Sequence, residues 1–158
     1  MGTELKRKIQ KPISTPLQAI LYARVSSKEQ EKEGFSIPAQ LELLNNYAKD
    51  RTLRVCREFI DVETAKAAGR SQFLEMVKFI QANPQVKILL VEKTDRLYRN
   101  FRDYVTLEDF GLEIHLVKEG EILSKDSQSH VKFIHGIKVL MAKNYIDNLS
   151  EEVKKGMK

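Results

Sequence analysis

The stretch LQAILYARVSS, residues 17 to 27, decides the fold of this chain. Residues Leu17 to Val25 are apolar and β-branched enough to predict a first, buried β-strand. Where this strand ends, Arg24 and Ser26 stand two residues apart, so their side chains share one face. A guanidinium held beside a hydroxyl is suited to serine attack on a phosphate, because its planar fork of donors matches phosphate oxygens.

Strands and helices alternate after this first strand. Further strands are expected over residues 53–60, 86–91 and 112–117. Ser36 is a good N-cap for the first long helix, a second follows the loop at Gly69, and Asp95 is expected to cap and start a third. Alternation of this kind predicts right-handed crossovers and a three-layer α/β/α fold with a mostly parallel sheet of four to five strands.

A long amphipathic helix is expected at the C-terminal end. From about residue 127, apolar residues recur every three or four positions: Ile134, Ile137, Met141, Tyr145, Leu149 and Val153. A helix of almost thirty residues is roughly 40 Å long and overshoots a compact domain. We therefore expect this stripe to form a dimer interface; the alternative, a core helix of the same domain, accounts for its first half only. The expected organisation is a flexible leader over 1–16, an α/β domain over 17–126 and this helix over 127–158.

Composition restricts the function without defining it. The chain has 158 residues, with 27 basic and 22 acidic side chains and a net charge of +5, which is compatible with nucleic acid. The lone Cys56 excludes an internal disulfide and a cysteine-based zinc site. No apolar run reaches about 18 residues, so we expect a cytoplasmic protein without membrane association.

The candidate site lies where the predicted strands end. In parallel α/β sheets, ligands bind beyond the carboxyl ends of the strands. Ser26, Asp61, Thr64 and Asp95 all follow the carboxyl end of a predicted strand. This shared position at the strand ends supports a common site, because it is independent of the local spacing of Arg24 and Ser26.

Arginines supply the chemistry that a serine nucleophile needs. The four candidates are Arg24, Arg70, Arg96 and Arg99. In-line attack on a phosphodiester places negative charge on the equatorial oxygens, and preorganised cations oppose that charge, which would make a metal unnecessary. Arg96 and Arg99 could instead be solvated residues at a helix start. Asp95 could serve only as an N-cap, or it could also orient the arginines and relay a proton.

These residues follow the ordered pattern Tyr-x-Arg-Val-Ser, then Gln, then Arg after a loop, then Asp-Arg-x-x-Arg. The matching positions are Tyr22, Arg24, Ser26, Gln30, Arg70, Asp95, Arg96 and Arg99. The pattern resembles the catalytic domain of the serine recombinases, the resolvase and invertase family, from about residue 17 to residue 158. The run from Gly34 to Gln40, Gly-Phe-Ser-Ile-x-x-Gln, resembles the large serine recombinases in particular.

The resemblance implies a reaction and a set of partners. Ser26 would attack a DNA phosphodiester to form a 5′-phosphoserine link with release of a 3′-hydroxyl, followed by strand exchange and religation. Double-stranded DNA, a homodimer and a synaptic tetramer are implied, with no metal, nucleotide or other cofactor. The candidate catalytic residues are Ser26, Arg24, Arg70, Asp95, Arg96, Arg99, Gln30, Thr64, Tyr22, Gln40 and Asp61.

The chain departs from the family pattern at two places. Smaller members often carry a serine next to glycine in the mobile loop, where this chain has Thr64-Ala65. Family members also continue into DNA-binding domains beyond the point corresponding to Lys158, so we expect an excised or truncated catalytic domain. By position, Glu151 matches a glutamate that helps hold the family's inactive dimer; the alternative is a polar residue on an exposed helix face.

Other functions remain open at this point. A metal-dependent nuclease could use Asp61, Glu63 and Asp95, but it leaves Arg24 and Ser26 without a role. A non-catalytic dimerising module that only positions DNA would not require an intact set of serine and arginines. Nucleotide binding by a flavodoxin-like fold lacks support, since the first strand-to-helix turn has no glycine-rich phosphate cradle. The DNA target and the biological purpose of the reaction are not encoded in these motifs.

Overall fold

The computed structural model of the chain describes residues 16–30, 36–64, 66 and 69–138. The strands are β1 (Gln18–Ser26), β2 (Arg54–Glu63), β3 (Ile88–Val91), β4 (Glu113–Leu116) and β5 (Glu121–Leu123). The helices are α1 (Ser27–Gln30), α2 (Ile37–Asp50), α3 (Ser71–Ala82), α4 (Thr94–Leu97), α5 (Phe101–Glu108) and α6 (128–138).

The strands form one sheet in the order β2–β1–β3–β4–β5. β1 pairs in parallel with both β2 and β3, and β3 pairs in parallel with β4. β5 is antiparallel to β4, which it reaches through a four-residue turn ending at Gly120. The predicted mostly parallel sheet of four to five strands is thereby confirmed. β1 lies next to the central strand β3, and the carboxyl end of β1 extends past the last residue of β3.

Alternation along β1 sends side chains to both faces of the sheet, as its period of two requires. Ile20 and Tyr22 pack in a large core cluster with residues of α3, α5 and α6. Ala19 and Leu21 pack in a second cluster with residues of α2. Helices therefore cover both faces, which gives the three layers expected from the sequence. Arg24 continues the face of Tyr22, so it lies on the side of the sheet that α3 covers.

The predicted start of α2 is confirmed in detail. Ser36 is the N-cap, and its hydroxyl accepts a hydrogen bond from the backbone N–H of Ala39 at 3.3 Å. Pro38 lies in the first turn, where its missing N–H costs nothing because no intrahelical acceptor exists for it there. This cap fixes where α2 begins.

The described part of the predicted C-terminal helix, α6, packs against its own domain. Ile137 is 2% exposed and belongs to the core cluster of the α3 face, with Ile134 packed against that cluster. These two residues of the proposed interface stripe are thus covered by the same chain, as the core-helix alternative expects for the first half of the helix. Met141, Tyr145, Leu149 and Glu151 lie outside the described residues, as does the leader up to residue 15. No helix among the described residues is long and apolar enough to cross a membrane.

The burial of Ile137 leads to a prediction about stability. Ile137→Ala should lower the free energy of unfolding by about 2–4 kcal/mol, because it removes buried methyl groups and leaves a cavity. Val131→Ala is the matched control on the same helix, since Val131 is 69% exposed and should change stability by at most about 0.5 kcal/mol. Urea unfolding monitored by circular dichroism measures both variants. A loss at Ile137 that depends on protein concentration would instead place this residue in an interface between subunits.

Candidate active site

The carboxyl ends of β1 and β2 bring five polar side chains to one edge of the sheet. In the parallel register Arg24 lies opposite Asp61, and Ser26 lies opposite Glu63. Tyr22, two residues before Arg24, shares its face. The serine predicted as the nucleophile is half-buried at the last position of β1. The register therefore places Ser26 and Arg24 on one face at the end of β1, and the juxtaposition of hydroxyl and guanidinium stays a prediction.

Gln40 anchors the backbone of Arg24. Its side chain is fully buried, its Oε1 accepts from the Arg24 N–H at 3.3 Å, and its Nε2 donates to the Arg24 carbonyl at 3.1 Å. β1 pairs with β3 only as far as Tyr22, and beyond that point the Gln40 amide supplies a donor and an acceptor. Gln40 is therefore placed to position Arg24 through its main chain.

The Arg24 guanidinium is held by main-chain carbonyls and one carboxylate. Its Nε donates to the carbonyl of Arg96 at 3.2 Å, and Nη2 donates to the carbonyl of Asp95. Its Nη1 lies 3.5 Å from Oε2 of Glu63. Burial lowers the pKa of Arg24, and the nearby Arg99 lowers it further by like-charge repulsion. These contacts fix the planar group at the end of β1. Two of its three partners are neutral carbonyls, so the carboxylate of Glu63 is the one negative charge among these contacts.

Arg99 reaches the same carboxylate from the segment between α4 and α5. Its Nη2 donates to the carbonyl of Gly69 at 2.9 Å and lies 3.4 Å from Oε2 of Glu63. Its Nε is buried and has no hydrogen-bond partner within the described part of the chain. Arg24 and Arg99 thus converge on one oxygen, and a buried donor of Arg99 remains unsatisfied there.

Asp103 holds the third arginine. Both of its oxygens accept from the Arg70 guanidinium, at 2.9 Å for Nη1, and the Arg99 N–H donates to Oδ2 at 3.1 Å. Asp103 is 1% exposed, so this bidentate pair is strongly favoured by its hydrogen bonds. The hydrogen bond to Asp103 raises the pKa of Arg70, against the opposing effect of burial. Arg70 is therefore anchored to α5 through Asp103.

The Asp61 carboxylate accepts hydrogen bonds from three groups of the chain. Its carboxylate accepts from the Tyr22 hydroxyl at 2.7 Å and from the N–H groups of Gln72 and Phe73 at 2.9 Å each. The N-cap residue of α3, Arg70, makes no side-chain capping bond, so Asp61 satisfies the helix start from the neighbouring strand. Burial, then the hydrogen bond to Asp61, raises the pKa of Tyr22.

This use of Asp61 removes the main support for a metal-dependent nuclease. A carboxylate that already accepts three hydrogen bonds would have to break them to ligate a metal. Asp95 is exposed, and its carboxylate lies 3.9 Å from the ammonium of Lys93. No group of three or more potential metal ligands clusters among the described residues.

The structure corrects the expected role of Asp95 as an N-cap. α4 begins at Thr94, its N-cap position is Lys93, and Asp95 lies in the first turn. The Thr94 N–H donates instead to the carboxylate of Glu119 at 2.7 Å, which satisfies this helix end from the turn after β4. Asp95 still contributes to the site through its main-chain carbonyl, which accepts from Arg24.

The alternative of a solvated Arg96 at a helix start is also wrong. Arg96 is 5% exposed, and its Nε lies 3.8 Å from a carboxylate oxygen of Glu92, itself 2% exposed. Glu92 follows β3 directly and Arg96 lies one turn later in α4, and because both charges are buried, each requires the other. Arg96 therefore shapes the site through this pair and through the carbonyl that holds Arg24.

Two further predicted residues lie at the margin of the site. Thr64 follows β2 and is exposed, and its hydroxyl accepts from the Lys66 N–H at 3.3 Å. Gln30 ends α1, but its side chain lies outside the description, as does Ala65 in the loop. The geometry thus brings together Tyr22, Arg24, Ser26 and Asp61 with Gln40, Arg70, Arg96 and Arg99, and leaves the roles of Thr64 and Gln30 as predictions.

Sequence reasoning missed the two acidic partners of the arginines. Glu63 entered only as a possible metal ligand, although it stands two residues after Asp61 and therefore on the same strand face. Asp103 carried a signal as well, since Asn100 caps α5 by accepting from the Asp103 N–H at 2.9 Å. A capping pattern Asn-x-x-Asp locates the helix start, but it does not show that the acid also binds an arginine.

Gly69, in the loop after β2, packs closely against the backbone at the end of β2. Its φ is +60°, and a Cβ there would lie 2.7 Å from the Val62 carbonyl oxygen and 2.8 Å from the Glu63 backbone. Gly69→Ala should therefore lower the free energy of unfolding by about 1–3 kcal/mol more than Gly120→Ala. Gly120 is the matched control, because its φ is +68° and nothing lies near the added Cβ. Equal losses in urea unfolding would show that only backbone strain matters at Gly69.

The parallel sheet, the strand-end serine and the arginines around it define an α/β domain equipped to bind an anion at the sheet edge. Comparison with known families assigns it further: residues 19–158 match the family model described as Resolvase, N terminal domain. The chain belongs to this family and is a catalytic domain of the serine recombinases, the enzymes of DNA recombination that the resemblance indicated. A comparison with curated proteins finds no match.

Solved structures agree with this assignment. The chain is similar to a resolvase family site-specific recombinase from Streptococcus pneumoniae, at 24% identity and a TM-score of 0.68 over 90% of this chain and 99% of that one. It is 26% identical to the N-terminal catalytic domain of TP901-1 integrase, with a TM-score of 0.61 over 85% and 98% of the chains. The C-terminal catalytic domain of ISC1926 TnpA, an IS607-like serine recombinase, matches at 21% identity and a TM-score of 0.53 over 89% and 98%.

Proposed function

We propose that Ser26 is the nucleophile of a site-specific DNA recombinase. Its hydroxyl loses its proton as Oγ attacks the phosphorus of a DNA phosphodiester. The Oγ–P bond forms as the P–O3′ bond breaks, and the 3′ oxygen leaves with the electron pair and takes up a proton, so no proton is gained or lost overall. The product is a 5′-phosphoserine link. Reversal of the same step, with a 3′-hydroxyl from another strand, rejoins the DNA. Because the covalent link conserves the phosphodiester, the reaction needs no nucleotide.

One observation carries this proposal. Arg24 and Arg99, from different elements, direct their guanidinium groups at a single anionic oxygen, that of Glu63 opposite Ser26 in the register. A phosphoryl group at this edge would meet the same two guanidinium groups, and donors fixed before the reaction stabilise developing charge without reorganisation. Arg70 is anchored close by through Asp103, which also binds the Arg99 main chain.

Membership of the family supports DNA as the substrate, and we extend the proposal to its assembly. Double-stranded DNA would be bound by a homodimer, with a tetramer formed when two sites are brought together for strand exchange. The sequence pattern of apolar residues at Met141, Tyr145, Leu149 and Val153 supports a dimer interface, because in a helix such residues would share one face that needs a cover. Glu151 stays a prediction within that interface.

A trapping experiment tests the chemistry. The chain is fused to a DNA-binding module of known specificity and incubated with a nicked duplex, from which the cleaved strand end diffuses away. We expect a denaturant-resistant protein–DNA adduct attached to the 5′ end, formed equally well in EDTA. An adduct on the 3′ end, or cleavage that stops when EDTA is added, would contradict the proposal.

A further inference from the structure

Glu63 differs from the other acidic residues at the sheet edge in how it is held. Asp61 and Asp103 are at most 2% exposed and accept several hydrogen bonds from fixed groups of the chain. The Glu63 side chain is 45% exposed, and within the described residues its carboxylate is paired with Arg24 and Arg99 only. Its ion pairs, at 3.4 and 3.5 Å, are longer than the hydrogen bonds of the buried acids.

The exposure and the loose pairing make this contact exchangeable. Water competes with the arginines for the Glu63 carboxylate, because that side chain is 45% exposed, and this competition weakens the ion pairs on the Glu63 side. The Glu63 side chain can therefore turn into solvent without its own charge being left buried and unpaired. Removal of Asp61 or Asp103 would instead leave the start of α3 or the half-buried Arg70 guanidinium without its partner.

The two arginines, in contrast, cannot be left without an anion at low cost. Their side chains are 15% and 17% exposed, and both guanidinium groups contact one oxygen, so the two charges lie close enough to repel each other. Burial lowers the pKa of Arg24, and this repulsion by Arg99 lowers it further. The buried Nε of Arg99, which has no hydrogen-bond partner among the residues that the structure describes, adds a donor at the same place. A phosphate offers more oxygens and more charge than a single carboxylate oxygen.

We propose that Glu63 stands in for the scissile phosphate in the DNA-free protein. It holds Arg24 and Arg99 in their working positions until a phosphodiester displaces it beside Ser26. This inference rests on the proposed function and assigns Glu63 a positioning role in it. The consequence is a competition. The carboxylate keeps the site assembled, and it also reduces the apparent affinity for any phosphate to the intrinsic affinity multiplied by the fraction of time that the carboxylate leaves the site free.

Anion binding to the 158-residue chain tests this competition without requiring catalysis. Inorganic phosphate is titrated at constant ionic strength, with chloride as the balancing salt, and its affinity is measured by calorimetry and by the shift in melting temperature. Glu63→Gln keeps the shape of the side chain and removes its charge. We expect Glu63→Gln to bind phosphate about five- to tenfold more tightly than wild type. Without phosphate it should melt at a lower temperature, and phosphate should restore the loss.

Glu42→Gln is the matched control, since Glu42 is exposed on α2 and the substitution changes net charge by the same amount. It should bind phosphate as wild type does. Equal phosphate affinity in wild type and Glu63→Gln, or weaker binding in Glu63→Gln, would overturn the role of Glu63. The gain must also require Arg24. If Arg24→Ala binds phosphate as well as wild type, the arginines do not form the anion site, and the proposed function fails together with this inference.

A second arm separates a DNA phosphodiester from free phosphate as the displacing group. A short DNA duplex is added to Glu63→Gln loaded with phosphate. We expect the duplex to displace phosphate from Glu63→Gln. The DNA concentration needed for this displacement should be lower than the DNA concentration at which wild type binds the duplex. Phosphate binding that the duplex does not displace would assign the site to a free anion and overturn the proposal.

Discussion

Ser26→Ala is expected to reduce DNA strand cleavage to background, a loss of about 10⁴-fold or more, while the protein still binds DNA. The hydroxyl supplies the atom that forms the new bond to phosphorus, so no other group on the chain replaces it. One neutral hydroxyl contributes only about 1 kcal/mol to affinity, so DNA binding should stay within about tenfold of wild type. Denaturing gels of the 5′ adduct measure cleavage, and gel shifts measure binding, both in the fusion that carries a DNA-binding module.

Ser27→Ala is the matched control for this substitution. Ser27 is the next residue, lies at the start of α1 and is exposed, so its loss should leave cleavage within about threefold of wild type. Residual cleavage in Ser26→Ala at more than a few per cent would show that another nucleophile, such as water, attacks the phosphate. Loss of activity in both variants would place the effect in the local structure of the strand end rather than in the chemistry.

Much of the fold follows from local patterns in the sequence. The apolar run of β1, the N-cap Ser36 and the alternation of strands with helices were sufficient to predict the layers and the parallel sheet. β5 spans only Glu121–Leu123, too short for a periodic pattern, so its place was not predicted. The break between α4 and α5 was also missed, because the residues around Tyr98 include neither glycine nor proline to mark it.

The candidate site divides in the same way. The basic residues were found from their order along the chain and from their position after predicted strands. Their acidic partners were not, because pairing depends on which elements meet in space: Asp103 on α5 meets Arg70 beside α3, and Glu63 on β2 meets Arg99 beyond α4. The capping of α3 by Asp61 likewise joins a strand to the helix that follows it, through hydrogen bonds between residues 11 and 12 positions apart, which no local motif describes.

Arg24 offers the second large effect. Arg24→Ala should slow formation of the 5′ adduct by about 10²-fold or more, the loss typical of one preorganised donor to a developing anion. The Arg24 guanidinium is fixed by the carbonyls of Asp95 and Arg96, so its donors are aimed before the substrate arrives. Arg24→Lys should recover little of the activity, because an ammonium cannot donate to two carbonyls and two phosphate oxygens from one planar group. Single-turnover cleavage rates at saturating protein separate this effect from weaker binding.

Arg102→Ala is the matched control for charge. Arg102 is exposed on α5 and the substitution lowers the net charge by the same single unit, so a field effect on DNA would appear equally in both variants. We expect Arg102→Ala to weaken DNA binding slightly at low salt and to leave the single-turnover rate unchanged, because its guanidinium is not among the groups that converge on Glu63. Full activity in Arg24→Lys would contradict the requirement for a fixed planar donor, since charge alone would then be sufficient at the end of β1.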